Sequence, residues 1–138
     1  TKKIAHLLGV DMVSITKTRT HLQAQAKELI GNVTDNVVLL IDDILDTAHT
    51  AVSASTILKE HGAKEIYGYF SHGIFSNNAI DLINQSNFNH IFVANMGNTQ
   101  LTHAKKISSV CAVDFLTQQI CKIIERYKQK TMYNEFML

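Results

Sequence analysis

Apolar and polar positions alternate in blocks along this chain, and the blocks change period several times. Residues 2–8 carry apolar side chains at helical spacing, and Gly9 stands where a helix C-cap belongs, so a short helix is expected. Residues 10–16 are dense in β-branched side chains and predict a short strand, whereas 17–27 are polar and aperiodic and predict a long loop. A second short strand is expected over 28–33, closed by the polar turn Thr34-Asp35-Asn36. The run Val37-Val38-Leu39-Leu40-Ile41 is continuously apolar, the pattern of a strand buried on both faces of a parallel sheet, and it gives way to Asp42-Asp43. A helix is expected over 49–61, capped by Thr47 or Thr50, with Val52, Ile57 and Leu58 inward and Gly62 as its stop.

Further strands are expected over 64–71, 90–95 and 107–112, with a short helix over 77–85. A final helix brings Val113, Leu116, Ile120, Ile124 and Tyr127 onto one stripe. Strand and helix thus alternate, which argues an α/β domain with a mainly parallel sheet flanked by helices. No internal repeat, low-complexity segment or interdomain linker interrupts the pattern.

Composition narrows the class. The 138 residues suit one domain with a core of its own, with 46% hydrophobic and 18% charged residues. The longest apolar run is far too short to span a bilayer, and no secretory pattern opens the sequence, so an intracellular, cytoplasmic domain without membrane association is expected. Thirteen basic against twelve acidic side chains leave a net charge of +1 and no electrostatic case for nucleic-acid binding. Cys111 and Cys121 form no C-x-x-C pair, and the seven histidines are at least eleven residues apart, which excludes helical metal pairs. There is no proline.

In an open α/β sheet, ligands bind beyond the carboxyl ends of the strands. Asp42-Asp43-Ile44-Leu45-Asp46-Thr47-Ala48-His49-Thr50 occupies that place. Adjacent carboxylates at a buried strand end need hydroxyl groups, a cation or a basic side chain to offset their desolvation. The threonine hydroxyls and the free N–H groups of the following helix suit phosphate. Acids for hydroxyls beside a nest for phosphate describe a sugar phosphate.

Residues 38–50 resemble the phosphoribosyl-pyrophosphate-binding motif of the type I phosphoribosyltransferase fold: a hydrophobic strand, Asp-Asp, two apolar residues and Asp-Thr-x-x-Thr. Ser71-His72-Gly73-Ile74-Phe75-Ser76 resembles the His-Gly-Phe-Ser segment of ribose-phosphate pyrophosphokinases. Lys17-Thr18-Arg19 resembles the Lys-x-Arg of that family's flexible catalytic loop, and Ile30-Gly31-Asn32-Val33 the segment before the motif strand. This resemblance implies a transferase that moves the diphosphoryl group of ATP, with Mg2+, onto the 1-hydroxyl of ribose 5-phosphate. It implies that Asp42 and Asp43 bind ribose hydroxyls, that Asp46, Thr47, Ala48, His49 and Thr50 hold the 5-phosphate, and that Lys17 and Arg19 are catalytic. It assigns residues 1–138 to most of the C-terminal phosphoribosyltransferase-like domain, without its N-terminal strand and without the N-terminal domain of the parent. On that reading the chain alone is inactive, and the parent is a homo-oligomer, hexameric as in the family.

His49 stands where these synthetases place glycine, and Asn77-Asn78 and Met96-Gly97-Asn98 replace segments that usually carry proline. Two alternatives follow: a catalytically silent regulatory paralogue that binds synthetase subunits, or a salvage phosphoribosyltransferase, which shares the acidic motif. A phosphorelay receiver also places an Asp-Asp pair after a strand, but its remaining acid and lysine sit on later strands rather than in one loop.

Overall fold

A computed structural model describes residues 1–19, 25–95, 101 and 103–135, with side chains described outside 17–19, 25–27, 95 and 126–135. Met96, Gly97 and Asn98 lie outside the described residues.

The first helix, α1 (Lys2–Leu8), forms where the periodicity places it, and Gly9 closes it in the left-handed region at φ 64°. The Gly9 N–H donates to His6 and the Val10 N–H to Ala5, the paired closure that needs a residue without a Cβ penalty at positive φ. Strand β1 (Ser14–Arg19) then pairs antiparallel with β2 (Gln25–Ile30). This corrects two expectations. The strand expected over 10–16 starts four residues later and runs through Lys17 and Arg19, and the loop expected over 17–27 is largely hairpin. Ile15, Thr16 and Thr18 favour extended backbone, and a ladder of cross-strand partners outweighs the polar character by which the segment reads as a loop.

A second sheet has the order β3-β4-β5-β6, all parallel: β3 (Val37–Leu45), β4 (Glu65–Gly73), β5 (His90–Asn95) and β6 (Ile107–Ser109). Helix α2 (His49–Glu60) joins β3 to β4 and α3 (Ala79–Gln85) joins β4 to β5, the connections that parallel neighbours require. Register puts Val38, Leu40, Ile66, Phe70, Ile91, Val93 and Ile107 on one face. Ala51, Ala54 and Leu58 of α2 and Ala79 and Ile83 of α3 are buried there. Buried Phe88 belongs to the same core.

Strand β3 departs from its expectation in two ways. It does not stop at Asp42-Asp43, because pairing with β4 continues through Ile44↔His72 and Leu45↔Gly73. Nor is it buried on both faces: Val37 is 60% and Leu39 46% exposed, since the α2 and α3 side chains that enter the core do so on the opposite face. Helix α2 also sits differently. Its buried residues are Ala51, Ala54, Ser55 and Leu58, while Val52 and Ile57 flank the contact half-buried. Alanines let the helix approach the sheet closely, so small residues rather than the branched ones mark its inward stripe.

Helix α4 (Val113–Glu135) has the expected periodicity, but Val113, Leu116, Ile120 and Ile124 are 48–62% exposed rather than buried. Tyr127 is helical, and its side chain lies outside what is described.

Candidate functional site at the carboxyl end of strand β3

The acidic motif is split between strand, loop and helix. Asp42 and Asp43 are strand residues, Asp46 to Ala48 form the connection, and His49 and Thr50 open α2. Asp42, Asp43, Asp46, His49 and Thr50 are exposed, Thr47 is half-buried, and Ala48 is buried. The two strand carboxylates are used locally: Asp42 Oδ1 accepts from the Asp43 N–H at 3.0 Å, and Asp43 Oδ1 accepts from the Ile44 N–H at 2.9 Å. Each retains its second oxygen beyond that bond, and a carboxylate carries about four acceptor positions. Hydroxyl donors are what such a pair fits.

The turn into α2 differs from the sequence expectation. Neither Thr47 nor Thr50 caps the helix; the N-cap is Ala48, at φ 65°, with no side-chain hydrogen bond. A left-handed alanine is uncommon, costing of order 1–3 kcal/mol. The observed geometry turns the chain sharply enough for Ala48 to enter the core, with its carbonyl accepting from Val52 at 2.9 Å. The N–H groups of the first turn are therefore left without a side-chain cap. Three such donors at the positive end of a helix dipole, flanked by two threonine hydroxyls, form an anion-binding arrangement.

A cavity of about 330 Å³ opens along the outer edge of β3. Asp42 and Thr50 both line it, together with Ile15 at the base of the hairpin. The structure thus brings the acidic strand end and the start of α2 to one hollow, with the hairpin strand that carries Lys17 and Arg19 at its border. Lys17 pairs with Lys27 and Arg19 with Gln25 in the hairpin register. Among the described residues, no group of three His, Cys, Asp or Glu side chains is close enough to hold a metal ion.

One part of the site is not visible in the motif itself. The Ile74 and Phe75 N–H groups both donate to the Leu45 carbonyl, at 2.9 and 3.3 Å, which ties the β4–α3 connection to the residue just before Asp46. Phe75, at φ 55°, is buried beneath this junction. A Cβ at Gly73 would come within 2.4 Å of the Phe75 ring, so glycine is required for close approach. His72, the residue that draws the eye in the sequence, is exposed. The signal that finds this buttress is a glycine two residues before an aromatic at a strand end.

Residues 10–136 match the sequence model of the phosphoribosyl synthetase-associated domain. The chain belongs to that family. Among its relatives, ribose-phosphate pyrophosphokinase 5 of Schizosaccharomyces pombe is 38% identical over 99 residues, covering 72% of this chain and 29% of the relative. The ribose-phosphate pyrophosphokinase of Thermotoga maritima is 30% identical over 134 residues, covering 96% of this chain and 42% of the relative. The crystal structure of phosphoribosylpyrophosphate synthetase from Mycobacterium smegmatis superimposes with a TM-score of 0.78 at 26% identity, over 91% of this chain and 41% of that one. The chain therefore spans less than half the length of these relatives. The parallel sheet with flanking helices is the fold the sequence resemblance implies. Among the described residues, no helix is long and apolar enough to cross a membrane.

Proposed function

We propose that this chain is the ribose-5-phosphate-binding part of a ribose-phosphate pyrophosphokinase. The complete enzyme transfers the diphosphoryl group of ATP to the 1-hydroxyl of ribose 5-phosphate, giving phosphoribosyl pyrophosphate and AMP. The observation that carries this reading is the meeting of Asp42 and Thr50 on one cavity, at the carboxyl end of β3 where α2 begins without a side-chain cap. Asp42 and Asp43 accept hydrogen bonds from ribose hydroxyls. The first-turn N–H groups of α2 and the hydroxyls of Thr47 and Thr50 hold the 5-phosphate, within a loop shaped by Asp46 and Ala48. His49, when protonated, adds charge of the favourable sign.

Lys17 and Arg19 neutralise the charge that develops on the transferring phosphates. Such transfer depends on positioning and electrostatic stabilisation more than on covalent chemistry by the protein. Mg2+ supplies further charge neutralisation when it arrives with ATP. The hard carboxylate oxygens of Asp42 and Asp43 suit a cation that keeps phosphate and water ligands. Residues 1–138 then form most of the C-terminal domain of a cytoplasmic homo-oligomer. Among the described residues β3 is the edge strand of its sheet, which supports that placement.

The test is AMP formation by the complete protein with ATP, Mg2+ and ribose 5-phosphate. Lys17→Ala is expected to lower kcat by about 10²- to 10³-fold with little change in KM, the size of losing one transition-state donor. An active enzyme unaffected by this change would remove Lys17 from the chemistry. His49 in the phosphate loop favours a second reading, a catalytically silent subunit. A complete protein that makes no AMP yet co-purifies with an active synthetase would establish it.

A further inference from the structure

The β1–β2 hairpin has two unlike faces. Its antiparallel register sets Ile15 opposite Leu29, Lys17 opposite Lys27 and Arg19 opposite Gln25. Thr16 stands opposite Glu28, and Thr18 opposite Ala26. Opposed residues share a face of a two-stranded ribbon, and every second residue returns to it. Lys17, Arg19 and Lys27 therefore lie on the face of Ile15 and Leu29, and Glu28 lies on the other. Ile15 and Leu29 are half-buried and packed against the core, whereas Thr16 and Glu28 are exposed. At its base, then, the face that carries the cations is the one applied to the body of the domain. Ile15 also lines the hollow shared by Asp42 and Thr50.

Charge on this face is unbalanced. Residues 14–30 contain one acid, Glu28, and it belongs to the opposite face. Like charges directly opposed in a ladder are destabilising, so the Lys17↔Lys27 pair works against the hairpin that contains it. A bound anion reverses that sign, because both ammonium groups can then donate charge-assisted hydrogen bonds to it. At about 3.4 Å per residue, the lysine pair stands about 7 Å beyond Ile15 and Arg19 about 7 Å further. Cations spread over such a length fit an anion whose charge extends along several phosphate groups. A single phosphate ester already has its place at the start of α2.

We propose that Lys27 is a further polyphosphate-binding residue, which with Lys17 and Arg19 forms a three-cation face for the phosphate chain of the donor nucleotide. That the donor is ATP rests on the transferase reading given above. The sequence pattern Lys-x-Arg marks two of the three cations, and only the strand pairing brings in the third, ten residues later.

The test is isothermal titration of the complete protein with inorganic tripolyphosphate, comparing the unaltered sequence with Lys27→Ala, Lys27→Arg and Lys64→Ala. Lys64 is exposed just before β4, at the far end of the parallel sheet, so its loss makes the same change in net charge away from the hairpin. Lys27→Ala is expected to weaken tripolyphosphate binding about 10-fold, the order of one charged hydrogen bond. Lys27→Arg should keep most of the affinity and Lys64→Ala all of it. Ribose 5-phosphate affinity should not change, and the melting temperature of the free protein should not fall, because Lys27→Ala removes a repulsion. In AMP formation, kcat/KM for ATP should drop about 10-fold while KM for ribose 5-phosphate is held. Unchanged tripolyphosphate affinity in Lys27→Ala overturns the proposal, as does an equal loss in Lys64→Ala or a lowered melting temperature. No binding by the unaltered protein at about 1 mM tripolyphosphate overturns it too. If AMP is still made in any of these cases, the transferase reading stands without Lys27. Lys27-dependent binding by a protein that makes no AMP upholds the three-cation face and removes the transferase reading instead.

Discussion

Replacing Gly73 with alanine tests whether the β4–α3 connection holds the loop that follows Leu45, the proposed phosphate site, in place. The added Cβ would lie 2.4 and 2.7 Å from two Phe75 ring atoms and 3.0 Å from a Val93 methyl. The ring is not the end of a flexible chain; it is buried, on a residue at φ 55°. Overpacking of this kind costs about 1–3 kcal/mol. Relief requires Phe75 to move, and its backbone N–H is one of the two that bond Leu45. Gly73→Ala is therefore expected to lower both urea stability and ribose-5-phosphate affinity, although Gly73 contributes no side chain to the site. Phe75→Ala alone should cost about 3–5 kcal/mol by leaving a cavity. In the double variant the ring is absent and the added methyl meets less, so the combined loss should fall short of the sum by about 1–3 kcal/mol. Urea denaturation of the four proteins gives this coupling directly, and isothermal titration with ribose 5-phosphate gives the effect on the site. A Gly73→Ala loss below about 0.5 kcal/mol, or strict additivity with Phe75→Ala, would refute the steric argument.

Asp46→Asn and Asp42→Asn should each weaken ribose 5-phosphate binding by about 10- to 100-fold, the value of one charged hydrogen bond. Because both residues are exposed, thermal stability should stay nearly constant; calorimetric titration beside a melting curve separates the two effects. Tyr67 is expected to ionise above its usual range, because its hydroxyl donates to Glu65 and the nearby carboxylate opposes a second negative charge. The protonated phenol is then favoured by folding, so this stabilisation is complete below the unfolded tyrosine pKa of about 10 and is lost as pH rises through the higher folded value. Tyrosinate absorbance during an alkaline titration should show Glu65→Gln ionising at lower pH, and no change between the two proteins would contradict the contact.

Much of the fold is legible from local rules. The periodicity of residues 2–8 with Gly9 beyond it, and the run from Val37 to Ile41, determine their own elements by local preference alone, although α1 buries no residue and Val37 and Leu39 are exposed. The hairpin is less legible: Lys17 and Arg19 sit among polar neighbours, and only pairing with residues 25–30 makes them strand. The candidate site divides in the same way. Asp42 through Thr50 can be picked out because acids, hydroxyls and a strand end adjoin in sequence. The buttress carries a fainter signal, the Gly73-x-Phe75 spacing, and its partner Leu45 is not legible because it belongs to a different connection.

By itself, then, the sequence determined the alternation of strands and helices, the place of the acidic motif and its family. Those depend on composition, spacing and contacts between near neighbours. Tertiary structure decided which face of each element is covered. Val37 and Leu39 look as buried as Val38 and Leu40 in the chain, and the α4 stripe looks as inward as that of any core helix. Burial depends on what the rest of the molecule places opposite a surface. Here α2 and α3 enter the core from one face of the sheet, and Val37 and Leu39 on the other face and the α4 stripe stay exposed among the described residues.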